Sequence, residues 1–291
     1  MRMPPIPNLN PNLNPNPHCR LRRTCLLAER ARVCYKGCVM SRSAIISDIH
    51  ANLHALAAVM NDVQAEACTD VVCLGDVVGY NAYPKECLDY IRSLNCPIVK
   101  GNHDEEVARQ DDTRMNPVAR AAMEWTRSRL EPEDLTWLMR LQYQRMVNSS
   151  YMIVHSTLDQ PRAWNYIMNA NDAAANFNRQ FKPLCLHGHT HVPRVFTWDG
   201  SRCSEHAEFI AELSANARTE IPLQDGLKYF INVGSVGQPR DGDIRASYGI
   251  YDSDRNSVTI KRIEYDVAAA QQAVLAAGLP EPLAERLGRG C

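Results

Sequence analysis

The side chains in this sequence that are suited to holding metal ions fall into five short clusters. Asp48 and His50 stand in "SDIHAN" (47–52) and Asp76 in "LGDVVGYN" (74–81). Asn102, His103 and Asp104 stand in "KGNHDEE" (100–106), His155 in "IVHST" (153–157), and His187, His189 and His191 in "HGHTH" (187–191). Imidazole is the commonest metal ligand among side chains, and a mixed oxygen and nitrogen set without thiolate suits divalent transition metals. Taken singly, each cluster has a plain structural explanation. Residues i, i+2 and i+4 share one side of a strand, so the alternating histidines alone are equally a strand's polar face. A lone Asp after a strand is ordinarily a turn or cap residue, and an isolated Asn-His-Asp a loop.

The elements between the clusters decide the matter. "AIISD" (44–48) reads as a buried strand, and Asn52 then caps a helix with Leu53, Leu56, Ala57, Met60 and Val63 on one face. "VVCLGD" (71–76) is the next strand. Pro84 suits the first turn of a helix carrying Cys87, Leu88, Ile91 and Leu94, and "PIVKGN" (97–102) is a third strand. This β-α-β-α-β order is that of a sheet with helical crossovers. Residues 105–147 read as a helical insertion beside the site. One of its helices starts at Asn116-Pro117 with Val118, Ala121, Ala122 and Trp125 inward; a second carries Leu135, Leu138, Met139 and Leu141. Strands return at "YMIVH" (151–155), "PLCLHG" (183–188), "KYFINVG" (228–234), "SYGIYD" (247–252) and "SVTIKRI" (257–263), the last two joined as a hairpin by "SDRN". "VAAAQQAVLAAG" (267–278) is a terminal helix stopped by Gly278. In an open α/β sheet, ligands bind outside the carboxyl ends of strands. Five strands that end in Asp, Asn and His at that edge describe a convergent site.

Bulk composition excludes little else. Across 291 residues the net charge is −1 and 45% of residues are hydrophobic. That balance makes no case for nucleic acid or an anionic membrane, and no apolar run approaches the roughly 18 residues of a membrane span. Eleven cysteines, with no CxxC pair, fit reduced thiols of a cytoplasmic protein. The first 40 residues differ. "PNLNPNLNPNP" (7–17) can neither continue a helix nor pair as a central strand, and seven Lys and Arg face one acid. Residues 1–40 are therefore expected to be a disordered or non-native leader ahead of a start at Met40. Residues 41–291 are expected to form one domain.

In chain order the clusters read D-x-H, GD, GNHD, H and GHxH, and this set resembles the calcineurin-like metallophosphoesterase signature. The likeness extends through "INVGSVGQPRDGDIRASYGIYD" (231–252) to the C-terminal helices, and is greatest to the small single-domain prokaryotic phosphodiesterases. The resemblance implies an α/β fold, a four-layer α-β-β-α sandwich of two mixed sheets with flanking helices. It also implies two divalent ions: Mn, Fe, Zn, Co or Ni. One would be held by Asp48, His50, Asp76 and His191, the other by Asp76, Asn102, His155 and His189. The pair would share and activate a hydroxide for in-line attack on phosphorus. His103 is implied as general acid for the leaving oxygen or as a transition-state donor, with Asn102 also at the substrate, while Arg240 in "GSVGQPRDGD" either reaches a substrate phosphate or is a surface turn residue. Asp104 either orients His103 or caps the following helix. His187 takes a place that is usually apolar or aromatic in the family and reads as supporting or structural.

Departures from the family narrow the substrate. Protein phosphatases and symmetrical dinucleoside tetraphosphate hydrolases of this superfamily carry an Arg shortly after the second-motif Asp. Here Gly79-Tyr80-Asn81 stand there, which favours diesters. Ser156 also follows His155, where Gly or Ala is frequent. The expected protein is a dimetal phosphodiesterase acting on small or nucleotide-like diesters. A small phosphate ester is its only expected partner; no membrane or specific nucleic acid is implied, and self-association is left open. The alternatives are a phosphomonoesterase or nucleotide pyrophosphatase and, from another class, a metal-binding scaffold such as the retromer subunit of this fold. Retention of His103 and all seven ligand positions argues against a scaffold.

Overall fold

A computed structural model describes residues 42–109 and 116–291; the leader expected at 1–40 lies outside them. Strand β1 (Arg42–Ile46) shows why the chain needs layers on both sides of a sheet. Successive side chains point to opposite faces, and here both faces are apolar. Ala44 and Ile46 pack against helices, while Ile45 enters a second core between two sheets.

The first sheet has the order β2-β1-β10-β11-β8, with β2 (Asp70–Cys73), β10 (Ala246–Asp252), β11 (Ser257–Ile263) and β8 (Arg218–Pro222). β1 and β2 run parallel and the other neighbours antiparallel. The second sheet has the order β3-β4-β5-β9-β6-β7, with β3 (Gln144–Val147), β4 (Tyr151–Val154), β5 (Leu184–His187), β9 (Lys228–Asn232), β6 (Arg194–Trp198) and β7 (Cys203–Glu205). Its β4, β5 and β9 are parallel. Ile45, Val72, Val258 and Ile260 meet Ile153, Leu186, Val195 and Ile231 between the sheets. Helices α1 (Leu53–Ala65), α2 (Pro84–Leu94) and α8 (Val267–Ala276) cover the first sheet, and α6 (Ala170–Phe177) covers the second. The result is the expected α-β-β-α sandwich of two mixed sheets.

Local signals explain the helix ends. The Asn52 side chain accepts from the Ala55 N–H at 3.1 Å, and Asn116 accepts from Ala119 at 2.9 Å at the start of α4 (Pro117–Arg127). Gly278, at φ +73°, follows the last turn of α8.

Three expectations need correction. The third strand, 97–102, is a single parallel bridge between Cys73 and Ile98. Pro97 has no N–H to give, and the Lys100 N–H turns away to the Gln142 carbonyl, so no ladder extends. Helix α4 buries Ala119, Ala122, Met123 and Thr126, a face rotated from the expected one because Val118 and Trp125 pack only partly. The segment 105–147 holds α4 and α5 (Pro132–Arg140) but closes in β3, while α3 (Asn102–Arg109) begins at Asn102 itself. In α5, Leu138 is buried and Met139 is exposed. Two further helices, α7 (Ala207–Asn216) and α9 (Glu281–Leu287), complete the described elements. Helix α9 packs with α8 and α4 around Tyr80. No helix of the described residues is long and apolar enough to cross a membrane.

Candidate metal centre

The polar strand ends meet at one edge of the sandwich. Ligand atoms of Asp48, His50, Asp76 and His191 lie within 4.8 Å of one another, and so do those of Asp76, His155 and His189. Asp76 is common to both groups, and all six residues are buried. One Asp76 oxygen, Oδ1, accepts the His103 backbone N–H at 2.8 Å; Oδ2 lies 3.3 Å from His155 Nε2 and 3.6 Å from His50 Nε2. Asp48 Oδ1 lies 3.3 Å from His191 Nε2, while its Oδ2 accepts from the Ser47 hydroxyl at 2.6 Å.

Hydrogen bonds to main-chain carbonyls fix the four imidazoles. His50 Nδ1 donates to Val78 O (3.2 Å), His155 Nδ1 to Leu74 O (2.8 Å), His189 Nε2 to Trp164 O (2.9 Å) and His191 Nδ1 to Gln238 O (2.5 Å). A carbonyl oxygen can only accept, so each of these nitrogens carries a proton, and in a neutral ring the other nitrogen presents its lone pair to the cluster. Those lone pairs then face each other: His50 Nε2 is 3.0 Å from His191 Nε2, and His155 Nε2 is 3.2 Å from His189 Nδ1. Two lone pairs at that distance repel unless a cation lies between them. Burial holds His50 and His191 below the usual histidine range, so a proton is a poor occupant of the first pair. At His155 burial opposes protonation, but Asp76 and Asp48 outweigh it and push the group up to about 9. Burial disfavours charge on Asp48 and Asp76 too, yet the surrounding histidines hold both carboxyls below their ordinary value. A proton can therefore bridge the second couple, but the first couple, which a proton fits poorly, and the Asp76 carboxylate common to both groups fit divalent ions.

The backbone is bent to achieve this. Asp48, His50, Asp76, His189 and His191 all have φ between +49° and +70°. Such left-handed geometry costs a non-glycine residue on the order of 1–3 kcal/mol and collects at functional sites. Glycine is required where the loops pass closest. A Cβ on Gly101 would sit 2.0 Å from Asp76 Oδ1, and one on Gly188 2.3 Å from Asp48 Oδ2.

Asn102 and His103 start α3 beside these groups. Asn102 Oδ1 is buried without a hydrogen-bond partner, as is His103 Nδ1. The His103 ring lies 4.3 Å from the Tyr80 ring and 4.8 Å from His50; burial, with Arg240 adding to it, brings its pKa down to about 4. Asp104 does not orient His103. Its Oδ2 accepts the N–H groups of Asp76 (2.8 Å) and Gly101 (3.0 Å), and its Oδ1 that of Val77 (3.0 Å). It thus caps α3 and binds the β2 loop to it. Burial and Asp76 push its carboxyl up to about 6. His187 joins neither cluster. It is buried, stacked 4.2 Å from Phe230, and burial brings it down to about 3. Ser156 is accommodated, fully enclosed, beside His155.

The family model of the calcineurin-like phosphoesterase superfamily domain matches residues 42–256. The chain belongs to the calcineurin-like phosphoesterase superfamily. An uncharacterized protein of Methanocaldococcus jannaschii is 36% identical over 257 residues, which span 87% of this chain and 99% of that one. A metallophosphoesterase from Sphaerobacter thermophilus has a similar structure: TM-score 0.73, 40% identity, 87% of this chain and 100% of that one covered. A hypothetical protein from Pyrococcus horikoshii OT3, at 17% identity, shares the fold with TM-score 0.67, over 87% of this chain and 99% of that one. As a calcineurin-like phosphoesterase the chain is a hydrolase of phosphoric esters, in a family that typically binds divalent metals.

Some neighbours of the centre carry no motif. The carbonyls of Leu74, Val78, Trp164 and Gln238 act through main-chain atoms, which any residue supplies. Trp164, at φ +55°, also sets its ring edge-on to that of His155, 5.9 Å away. Tyr166, half exposed, stacks 4.4 Å from the His189 ring at the rim of this phosphoesterase site.

Proposed function

We propose that the chain is a dimetal phosphodiesterase acting on small or nucleotide-like diesters. The observation that carries the reading is the facing His50–His191 couple together with the Asp76 carboxylate shared between two ligand groups. In this reading Asp48, His50, Asp76 and His191 hold one ion, and Asp76, Asn102, His155 and His189 the other. Bound there, two divalent ions supply Lewis acidity and a water acidic enough to attack phosphorus at neutral pH.

The side chains do the rest. The carbonyl-bonded rings keep their tautomers fixed, and Asp104 holds Asp76 in place through the main chain. Asn102 offers a neutral oxygen and so limits the negative charge facing a phosphate. His103 donates a hydrogen bond to the leaving or transferring oxygen. The absence of Arg at 79–81 supports a diester, which carries less charge than a monoester. The unpaired, buried thiols of Cys73, Cys87 and Cys185 suit a reducing cytoplasm.

The test is to strip the full chain of metal and reload it with Mn, Fe, Zn, Co or Ni in turn. It is then assayed on bis(p-nitrophenyl) phosphate, p-nitrophenyl phosphate and a nucleoside diphosphate. At least one metal should give a diester kcat/KM on the order of tenfold above the others. Preference for the monoester or the diphosphate refutes the diester reading; no turnover with any metal favours a scaffold.

A further inference from the structure

Beyond His103 the wall of the site is Tyr80, and two arginines far apart in sequence converge on its ring. The Arg240 guanidinium, from the loop between β9 and β10, stands 5.9 Å from the ring centroid; that of Arg286, in α9, stands 5.7 Å away. Both reach one neutral acceptor, Gln238 Oε1, at 3.0 and 3.4 Å. Among the described residues neither guanidinium pairs with a carboxylate, and Arg240 Nε is buried without a partner. Nearby arginines are treated differently. Arg289 pairs with Glu285 at 3.1 Å and Arg245 with Asp243 at 2.7 Å. Two cations sharing one amide oxygen repel each other, and an anion between them turns that cost into binding.

The space to receive such an anion is present. A cavity of about 510 Å³ is lined by Tyr80, Val118, Leu283, Arg286 and the Arg289–Glu285 ion pair, among others; Arg240 is outside its lining but stands over the same Tyr80 ring. That volume falls within the size range of small-molecule sites. Tyr80 is shared with the metal centre: its ring lies 4.3 Å from that of His103, and the Arg240 main-chain N–H donates to the His191 carbonyl at 3.3 Å.

We propose that Arg240 and Arg286 clamp a second phosphate of the substrate, one not under attack, while the group that carries it packs on Tyr80, Val118 and Leu283. This rests on the phosphodiester reading and narrows it to diesters bearing a further phosphate, such as a terminally phosphorylated dinucleotide. Helix α9 then supplies, from the far end of the fold, the phosphate-gripping arginine that is missing after Asp76.

Metal-loaded full chain is assayed on thymidine dinucleotides with no terminal phosphate, with a 5′ phosphate and with a 3′ phosphate. One phosphorylated form should exceed the unphosphorylated one in kcat/KM by on the order of tenfold, as a charge-assisted contact provides. Arg286→Ala should bring that ratio close to one, and Arg286→Lys should keep part of it. A wild-type ratio near one, or a ratio unchanged by Arg286→Ala, overturns the clamp. Calorimetric binding of α,β-methylene-ADP separates the two ideas, because it needs no turnover. Binding about tenfold weaker in Arg286→Ala supports the clamp even if no diester is cleaved, in which case only the diester reading fails. Equal binding by wild type and Arg286→Ala overturns the clamp whatever the enzyme cleaves.

Discussion

Asp104→Asn isolates the carboxylate that holds Asp76 in place without touching a proposed metal ligand. The two Asp104 oxygens serve different donors: Oδ2 takes the N–H groups of Asp76 and Gly101, and Oδ1 those of Val77 at 3.0 Å and Val78 at 3.4 Å. An amide has one oxygen, so whichever way it turns, its NH₂ faces one pair of main-chain donors. The less costly orientation keeps Asp76 and Gly101 satisfied and abandons the longer pair. Leaving a buried donor unpaired costs about 1–3 kcal/mol. Asp104 is fully enclosed, so no water readily compensates. Asn also removes the charge whose burial beside Asp76 pushes the Asp104 carboxyl up to about 6, which offsets part of this, so the expected net loss is about 1–2 kcal/mol, or roughly 2–8 °C in melting temperature for a domain of this size. Asp104→Ala, which abandons every donor, should lose more. Urea unfolding of the chelated protein measures the stability term, and equilibrium dialysis against Mn(II) measures metal content. Metal content should fall with stability, because the Asp76 main chain loses its anchor. If Asp104→Asn unfolds within 0.5 kcal/mol of wild type, taken as roughly the size of a neutral surface change, the carboxylate does not hold the loop. If stability falls but metal binding does not, it holds the loop without positioning Asp76.

Asp76→Asn and His191→Ala should differ in kind across a metal titration. His191→Ala recovers part of its activity in excess metal, whereas Asp76→Asn binds fewer ions and stays nearly inactive; equal recovery would contradict a shared carboxylate. His103→Ala should keep its metals and lose about 10²–10⁴ in kcat, and elemental analysis showing a lost ion would rule out a role confined to substrate. Glu66 offers a test remote from the centre. Burial pushes its carboxyl up, but Lys261 and Arg42 outweigh that and bring it down to about 2 from an ordinary 4.5. A depressed carboxyl stabilises the fold above its unfolded pKa and loses that contribution as pH falls toward its folded pKa. Glu66→Gln should therefore cost at most about 3 kcal/mol at pH 7, and the difference should shrink to less than half by about pH 3 in urea unfolding of chelated protein. A gap constant with pH would show that the ion pairs around Glu66 do not stabilise the fold.

The sequence made the layers and the gathering of side chains legible, for reasons visible in single residues. Ile45 and its neighbours alternate between two apolar environments, which marks a strand buried on both sides. Asn52, Pro84 and Asn116-Pro117 mark helix starts chemically. What escaped was set by main-chain contacts or by distance along the chain. Pro97 looked like the start of a strand, but its ladder fails three residues later, where Lys100 finds Gln142. The carbonyls that orient the histidines leave no trace in residue type. The approach of α9 to Tyr80 depends on α8 and α9 packing together against α4, more than a hundred residues earlier in the chain.

The two groups of candidate ligands also bear on how the sandwich stays shut. Asp48, His50 and Asp76 follow strands of the first sheet, whereas His155, His189 and His191 follow strands of the second. Apolar packing fills the seam between the leaves but gives way at this edge to carboxylates and opposed imidazoles. Ions bound in either group would rivet one leaf to the other where nothing greasy does so. Stripped of them, that margin should gape first, and hydrogen exchange should quicken at the ends of β1 and β5 while the rest of the seam stays closed.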